Sequence, residues 1–263
     1  MNILEKIVAE KRVEVAQRKK EVPVSILERY ELFKKMPLSL KAFIKDANKT
    51  GIIAEFKRAS PSKGIINNEA NVEDVTAAYA RFGASGVSVL TDENFFKGSL
   101  NDLVTASKNN VPVLRKDFMI DEYQLVEAKA HGASVILLIA ACLTPAEVKT
   151  LAASAKKLGL EVLLELHDET ELDHVCPDVD LVGINNRNLK TFLVDLEQSI
   201  RLSEKIDNAF LKIAESGISS AENMQYLKQH GFDGFLIGEF FMKEKDPGQA
   251  FKKLVTALNL VSL

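Results

Sequence analysis

The sequence predicts an α/β fold: a closed (β/α)8 barrel, or TIM barrel, with an N-terminal helical extension. Three observations carry this. Eight short aliphatic and β-branched runs recur from Gly51 onward. Amphipathic stretches of helical period separate them. Several of those stretches stop at a glycine leading into the next run, at Gly83, Gly132, Gly159 and Gly231. The spacings of these glycines are close to two, one and three times a unit of roughly 25 residues, the size of one βα repeat in such a barrel.

The elements follow in order. Asn2–Lys20 reads as a charged helix with Ile3, Ile7, Val8, Val13 and Val15 on its apolar side. Pro23 interrupts it, Ser25–Lys35 reads as a second helix, and Pro37 ends that. Residues 1–50 are thus expected to be an extension packed on the barrel. They are either a packing appendage or a partial lid, with Ser25–Lys35 docked on the barrel top. Residues 51–263 make the barrel. Its strands are expected at Ile52–Phe56, Val87–Leu90, Val111–Leu114, Ser134–Ile139, Glu161–Leu166, Asp180–Ile184, Leu211–Ala214 and Gly234–Ile237. Their near-continuous apolarity suits parallel strands buried on both faces. The clearest helices are Val72–Phe82, Asp121–His131, Pro145–Leu158 and Ala221–His230. An open doubly wound sheet fits less well, because no Gly-x-Gly-x-x-Gly fingerprint follows the first strand.

Composition narrows the function. A chain of 263 residues lies between one and two domains, at ~150 residues each, but one α/β barrel can take it all. With 46% apolar and 27% charged residues it is an ordinary globular chain. The net charge of −3 and pI near 5.9 give no nucleic-acid footprint. The longest apolar run, Val135–Leu143, is far short of the ~20 residues that span a bilayer. Met1–Lys20 has no apolar signal core. Cys142 and Cys176 make neither a disulfide framework nor a zinc spacing. A cytoplasmic protein without nucleic-acid or membrane partners is expected.

In a (β/α)8 barrel, chemistry sits where strands end and βα loops begin. The first strand runs into Glu55-Phe56-Lys57-Arg58-Ala59-Ser60-Pro61-Ser62-Lys63-Gly64. Glu55 and Lys57 share a face, and an acid and a base at a barrel mouth favour pairing. This is a structural ion pair or part of a site. The third strand ends Leu114-Arg115-Lys116-Asp117-Phe118, with two adjacent cations suited to an anion, or simply solvated. Glu165 closes the apolar fifth strand, where burial would raise its pKa toward a general acid or base. Asn185-Asn186-Arg187-Asn188 after the sixth strand is either turn chemistry or a carboxylate cradle. Glu215-Ser216-Gly217 and Gly238-Glu239 end the last two strands, where such barrels often bind phosphate. Phe95-Phe96 either line an aromatic pocket or pack. His131 and His230 read as helix ends, and His167 and His174 show no ligand spacing.

Taken in order, these segments resemble the indole-3-glycerol phosphate synthase family: the Glu55–Gly64 stretch, Leu114–Phe118, Gly183–Leu189, Glu215–Ile218 and Leu236–Glu239. The resemblance covers essentially the whole chain. It implies a (β/α)8 lyase of tryptophan biosynthesis that needs no cofactor or metal. Its one small-molecule partner would be phosphorylated, 1-(2-carboxyphenylamino)-1-deoxyribulose 5-phosphate, and the chain would act as a monomer. Lys116 matches the general acid and Glu165 the general base of dehydration. Lys57 would touch the substrate, Glu55 would orient it, and Asn185 would hydrogen-bond it. Arg187 would hold the anthranilate carboxylate against apolar walls such as Leu137, Leu138 and Leu189. Phe95 and Phe118 would add aromatic lining. Glu215 would support, and Ser216, Gly217, Gly238 and Glu239 would surround the phosphate with Ser60 nearby. A lysine acid is expected to have its pKa lowered by burial or neighbouring cations. Glu239 stands where some relatives carry serine, so its backbone N–H rather than its carboxylate is expected at the phosphate. Two rivals stay open: a Schiff-base phosphosugar lyase using Lys57 or Lys116, and a non-catalytic phosphosugar-binding barrel.

Overall fold

In the computed structural model, which describes residues 3–187 and 193–261 with side chains to 258, eight parallel strands close into a barrel. They are β1 (Ile52–Phe56), β2 (Gly86–Leu90), β3 (Val113–Lys116), β4 (Val135–Ile139), β5 (Glu161–Leu166), β6 (Leu181–Asn185), β7 (Leu211–Glu215) and β8 (Gly234–Ile237). Each pairs with its sequence neighbour, and β8 closes on β1 with Ile53 opposite Leu236. The third strand lies two residues later than its apolar run suggests. Pro112 has no N–H to give a ladder, while Arg115 and Lys116 pair opposite Val89 and Leu90. The four expected helix-ending glycines all adopt positive φ.

Alternation along the strands sorts side chains into two layers. Ile53, Leu114, Leu137, Leu163, Leu181, Ile213 and Leu236 fill the barrel interior. Ile52, Val113, Ile136, Leu138, Val162 and Val182 instead pack in the outer cluster. Leu138 therefore lies in the outer layer and cannot wall the mouth. Arg115 is likewise not a mouth cation. It is 1% exposed and held by Asp117 at 3.0 Å and by Glu127 at 2.9 Å, the latter on the outer helix Glu122–Ala130.

The N-terminal segment runs from one end of the barrel to the other. Helix α1 (Ile3–Glu21) buries Ile7, Lys11 and Val15, whereas Val13 is 69% exposed. Ile7 packs with Phe118 and, at the cluster edge, Leu4, Phe95 and Phe96. Lys11 pairs with Asp92 at 2.9 Å and Asp117 at 3.0 Å, in the loops after β2 and β3. Ser25–Lys35 is not one helix. It divides into α2 (Val24–Leu27) and a 3-10 turn, Glu31–Lys34, and it packs on the flank against the helix Glu122–Ala130 rather than on the barrel top. There Leu27 meets Tyr123 and Ala130, and the Tyr30 and His131 rings meet edge to face at 5.7 Å. Helix α3 (Leu40–Lys45) then closes the opposite end. Leu40 and Ile44 reach Gly86 and Gly234 at the starts of β2 and β8, and Ser39 donates to Glu161 at the start of β5.

The Lys11 contacts set a stability prediction. Its side chain is 1% exposed between Asp92 and Asp117, themselves 2% and 1% exposed. Removing one member of such a buried network leaves charge uncompensated, at a cost of about 3 kcal/mol or more. Lys11→Met is expected to lower the unfolding free energy by that amount in urea denaturation. A change under ~0.5 kcal/mol, typical of a surface substitution, would contradict it.

Candidate active site

Two residues beyond the inward apolar layer, the same face of β1, β3, β5 and β7 turns polar. Glu55 follows Ile53, Lys116 follows Leu114, Glu165 follows Leu163, Glu215 follows Ile213, and Gly238 follows Leu236. Register aligns them, with Ile139 opposite Glu165, Glu165 opposite Gly183, and Asn185 opposite Glu215. The result is a charged ring at the C-terminal mouth over an apolar plug. Above it opens a cavity of about 240 Å³, continuous with solvent.

The ring is tightly connected. Lys116 Nζ lies 3.0 Å from Glu165 Oε2 and 3.9 Å from Glu215 Oε2. Asn185 Nδ2 donates to Glu165 Oε1 at 2.9 Å. Lys57 Nζ pairs with Glu55 Oε1 at 2.7 Å, the ion pair expected of two residues that share a face. Glu55, Glu165 and Glu215 are all under 5% exposed. Gly238 is required by this packing, because a Cβ there would lie 2.8 Å from the Cβ of Glu55.

The electrostatics differ from the sequence expectation in two places. Burial opposes the charge on Lys116, but Glu165, Glu215 and Glu55 outweigh it, so its pKa is raised rather than lowered. Burial would likewise raise Glu165, yet Lys116, His167 and Asn185 hold it well below the carboxylate range. The carboxyl with a raised pKa is Glu215. Burial and the Glu165 charge, with a further contribution from Glu55, push it to about 8 against the opposing pull of Lys116. At neutral pH the ring thus holds an ammonium, an ionised Glu165 and a protonated Glu215.

The rim carries the remaining groups. Arg187 follows β6, its N–H donating to Asn185 Oδ1 at 3.0 Å, and its guanidinium lies 3.2 Å from the Glu239 carboxylate. Lys63 stands 3.8 Å from the other Glu239 oxygen. Burial opposes ionisation of Glu239, but Arg187, Lys63 and Lys57 lower its pKa. Ser216 and Gly217 both adopt left-handed backbone, at φ 68° and 71°, and the Ser216 carbonyl accepts from Asn186 Nδ2 at 2.7 Å. A non-glycine residue held there is strained and marks a functional turn. Gly238 caps the four-residue helix α4 (Glu239–Met242), whose first N–H groups have no partner within the helix.

Of the expected residues, Glu55, Lys57, Lys116, Phe118, Leu137, Asn185, Arg187, Glu215, Ser216, Gly217, Gly238 and Glu239 line the cavity. Glu165 sits just beneath, reached through Lys116 and Asn185. Ser60 lies outside the lining, in a two-residue strand paired with Gly64–Ile65. Phe95 also lies outside, under Lys6 Nζ of α1 at 5.9 Å, and Phe96 takes the wall position, 6.2 Å from the Phe118 ring. Leu189 lies outside the described residues. Sequence reasoning missed Lys243 on the wall and His167 below Glu165; alternation from Glu165 would have placed His167 on the same face. Among the described residues, no group of three His, Cys, Asp or Glu side chains is arranged to hold a metal ion.

Comparison with known proteins agrees with this geometry. A profile of the family described as indole-3-glycerol phosphate synthase matches residues 4–254. Relatives bearing that same name include one from Bacteroides thetaiotaomicron, 46% identical over 98% of this chain and 99% of its own length. Another, from Acinetobacter baylyi, is 41% identical over 98% of this chain and 97% of its own. Among solved structures, tryptophan synthase subunit alpha from Legionella pneumophila superposes with a TM-score of 0.61 at 15% identity. It aligns with 84% of this chain and 97% of its own. A 3-hexulose-6-phosphate synthase also gives 0.61, at 14% identity, over 79% of this chain and 99% of its own. At these identities the structural matches establish the barrel fold alone.

Proposed function

Since the chain belongs to the indole-3-glycerol phosphate synthase family, we propose how its mouth performs that reaction. The chain is a lyase of tryptophan biosynthesis acting on a small phosphorylated substrate. The substrate is 1-(2-carboxyphenylamino)-1-deoxyribulose 5-phosphate, and ring closure, loss of carbon dioxide and loss of water give indole-3-glycerol phosphate. The observation that carries the reading is the contact of an ammonium on the cavity wall, Lys116, with one buried carboxylate, Glu165, at 3.0 Å.

Lys116 donates a proton to the ribulose carbonyl oxygen as the anthranilate ring carbon attacks. Its raised pKa keeps it charged at neutral pH, so a cation is already placed where oxygen charge develops. Ionised Glu165 then accepts a proton in dehydration, which its lowered pKa favours by keeping the base form populated. Lys57 contacts the substrate, with Glu55 orienting it. Asn185 hydrogen-bonds the substrate and steadies Glu165. Protonated Glu215 supports the ring beside Lys116, 3.9 Å from its ammonium.

Arg187 holds the anthranilate carboxylate, bent from its ring plane against Leu137. Ser216, Gly217, Gly238 and the backbone of Glu239 hold the phosphate, helped by the free N–H groups opening α4. The Glu239 side chain competes for Arg187 and faces incoming anions. Glu239→Ser is therefore expected to lower KM by about fivefold, the scale of ~1 kcal/mol for a partly exposed ion pair. Steady-state kinetics checks this; an unchanged or raised KM would assign the carboxylate a useful role.

All members of the ring come from one chain, which supports action as a monomer, and the free Cys142 and Cys176 support a reducing cytoplasm. Incubating the purified protein with the substrate and following indole fluorescence tests the function. Turnover is expected. Saturable binding without product would favour a binding barrel, and a borohydride-trapped adduct on Lys57 or Lys116 would favour Schiff-base chemistry.

A further inference from the structure

His167 is the buried titratable group that the reaction above leaves unused. It is the first residue past β5, two positions beyond Glu165, and its side chain is 9% exposed. Its Nε2 lies 3.1 Å from Glu165 Oε1, the oxygen that also accepts from Asn185. Its Nδ1 lies 3.4 Å from Glu171 Oε2. Glu171 is itself fixed, because the same oxygen accepts from the His167 backbone N–H at 2.6 Å. Neither ring nitrogen meets hydrogen-bond geometry, so the ring is held between two carboxylates mainly by charge.

We propose, resting on the reading of Glu165 as the base, that His167 is its positioning residue. Clamped by Glu171, the ring holds Oε1 of Glu165 from below, so that Oε2 stays turned toward Lys116 and the cavity. The charge balance of the site supports this. Three carboxyls, Glu55, Glu165 and Glu215, share one mouth with Lys116 and Lys57. A third cation underneath favours the ionised form of Glu165, the carboxylate it lies against at 3.1 Å. The groups bearing on His167 are Glu165 from β5, Glu171 from the 3-10 turn Glu169–His174, and Glu215 from β7, with Lys116 beyond Glu165. The Cys142 thiol, at the end of the 3-10 turn after β4, senses both Glu165 and Glu171. Burial alone would discharge the ring, but Glu165 and Glu171 raise its pKa to about 10. The ring is therefore cationic across the working range and loses its charge only as pH rises through that value.

Two measurements test this. The first is an NMR titration of the four histidines, with His167 assigned through His167→Asn. The His167 ring is expected to stay cationic to at least pH 9 in the unaltered protein, and to drop by at least one unit in Glu165→Gln. Titration near the ordinary 6.5 in the unaltered protein would overturn the proposal. The second is the pH dependence of kcat in His167→Asn. Removing an opposite charge at this range raises a carboxylate pKa by roughly 1–3 units, so the acidic limb of kcat is expected to move to higher pH than in the unaltered enzyme, with KM within twofold. A profile that superposes on the unaltered enzyme, or one lowered by the same factor at every pH, would overturn it. Absence of turnover in the unaltered protein would count instead against the function itself, and the NMR arm does not depend on turnover.

Discussion

Lys116→Ala is expected to lower kcat by at least ~10²-fold, about 2.7 kcal/mol, with KM little changed. The substitution removes the proton donor and the cation facing the carbonyl oxygen. It also disturbs its neighbours, since Glu165 loses its closest positive charge at 3.0 Å. The pKa of Glu165 then rises, so its ionised form is lost sooner as pH falls. Combining Lys116→Ala with Glu165→Gln should consequently cost much less than the product of the two single losses, as for any pair acting as a unit. Lys116→Arg separates charge from proton transfer. A guanidinium keeps the cation, but its wide planar fork cannot put a proton where the compact ammonium does, so kcat stays low while substrate affinity is retained. Near-normal turnover in Lys116→Ala would remove the acid role.

Glu165→Gln is expected to cost at least ~10²-fold in kcat as well, but for a different step. Gln preserves shape and can still accept from Asn185, so binding should change little. What disappears is the anion. Ionised Glu165 also stabilises the fold, because its pKa is lowered from the ordinary 4.5. That contribution is present above 4.5 and fades as pH falls through the lowered folded value. Acid unfolding of Glu165→Gln should therefore depend less steeply on pH below 4.5 than that of the unaltered protein. Equal steepness would argue that Glu165 is not held ionised.

The barrel was legible because buried parallel strands are apolar throughout and helix-ending glycines punctuate them. The mouth was legible because charged residues at the ends of apolar strands stand out, as Lys116 and Glu165 do. Errors came where one residue of offset reverses the face. Arg115 beside Lys116 and Leu138 beside Leu137 point outward, which composition alone does not reveal. Ser25–Lys35 carries a helical pattern, but its apolar residues pack on the helix Glu122–Ala130 rather than forming one continuous helix. The protonation states of Glu165 and Glu215 were also out of reach. They depend on which carboxylate lies nearer Lys116, at 3.0 Å and 3.9 Å, and those distances exist only once the strands are in register.

The division of labour between Lys116 and Glu165 is best tested in a single turnover, following carbon dioxide release and indole fluorescence together. Glu165→Gln should release carbon dioxide well ahead of indole formation, because closure and decarboxylation precede the step that needs the base. Lys116→Ala should slow both signals together. If Glu165→Gln delays carbon dioxide as much as indole, or Lys116→Ala releases carbon dioxide at the unaltered rate, the assignment of acid and base is wrong.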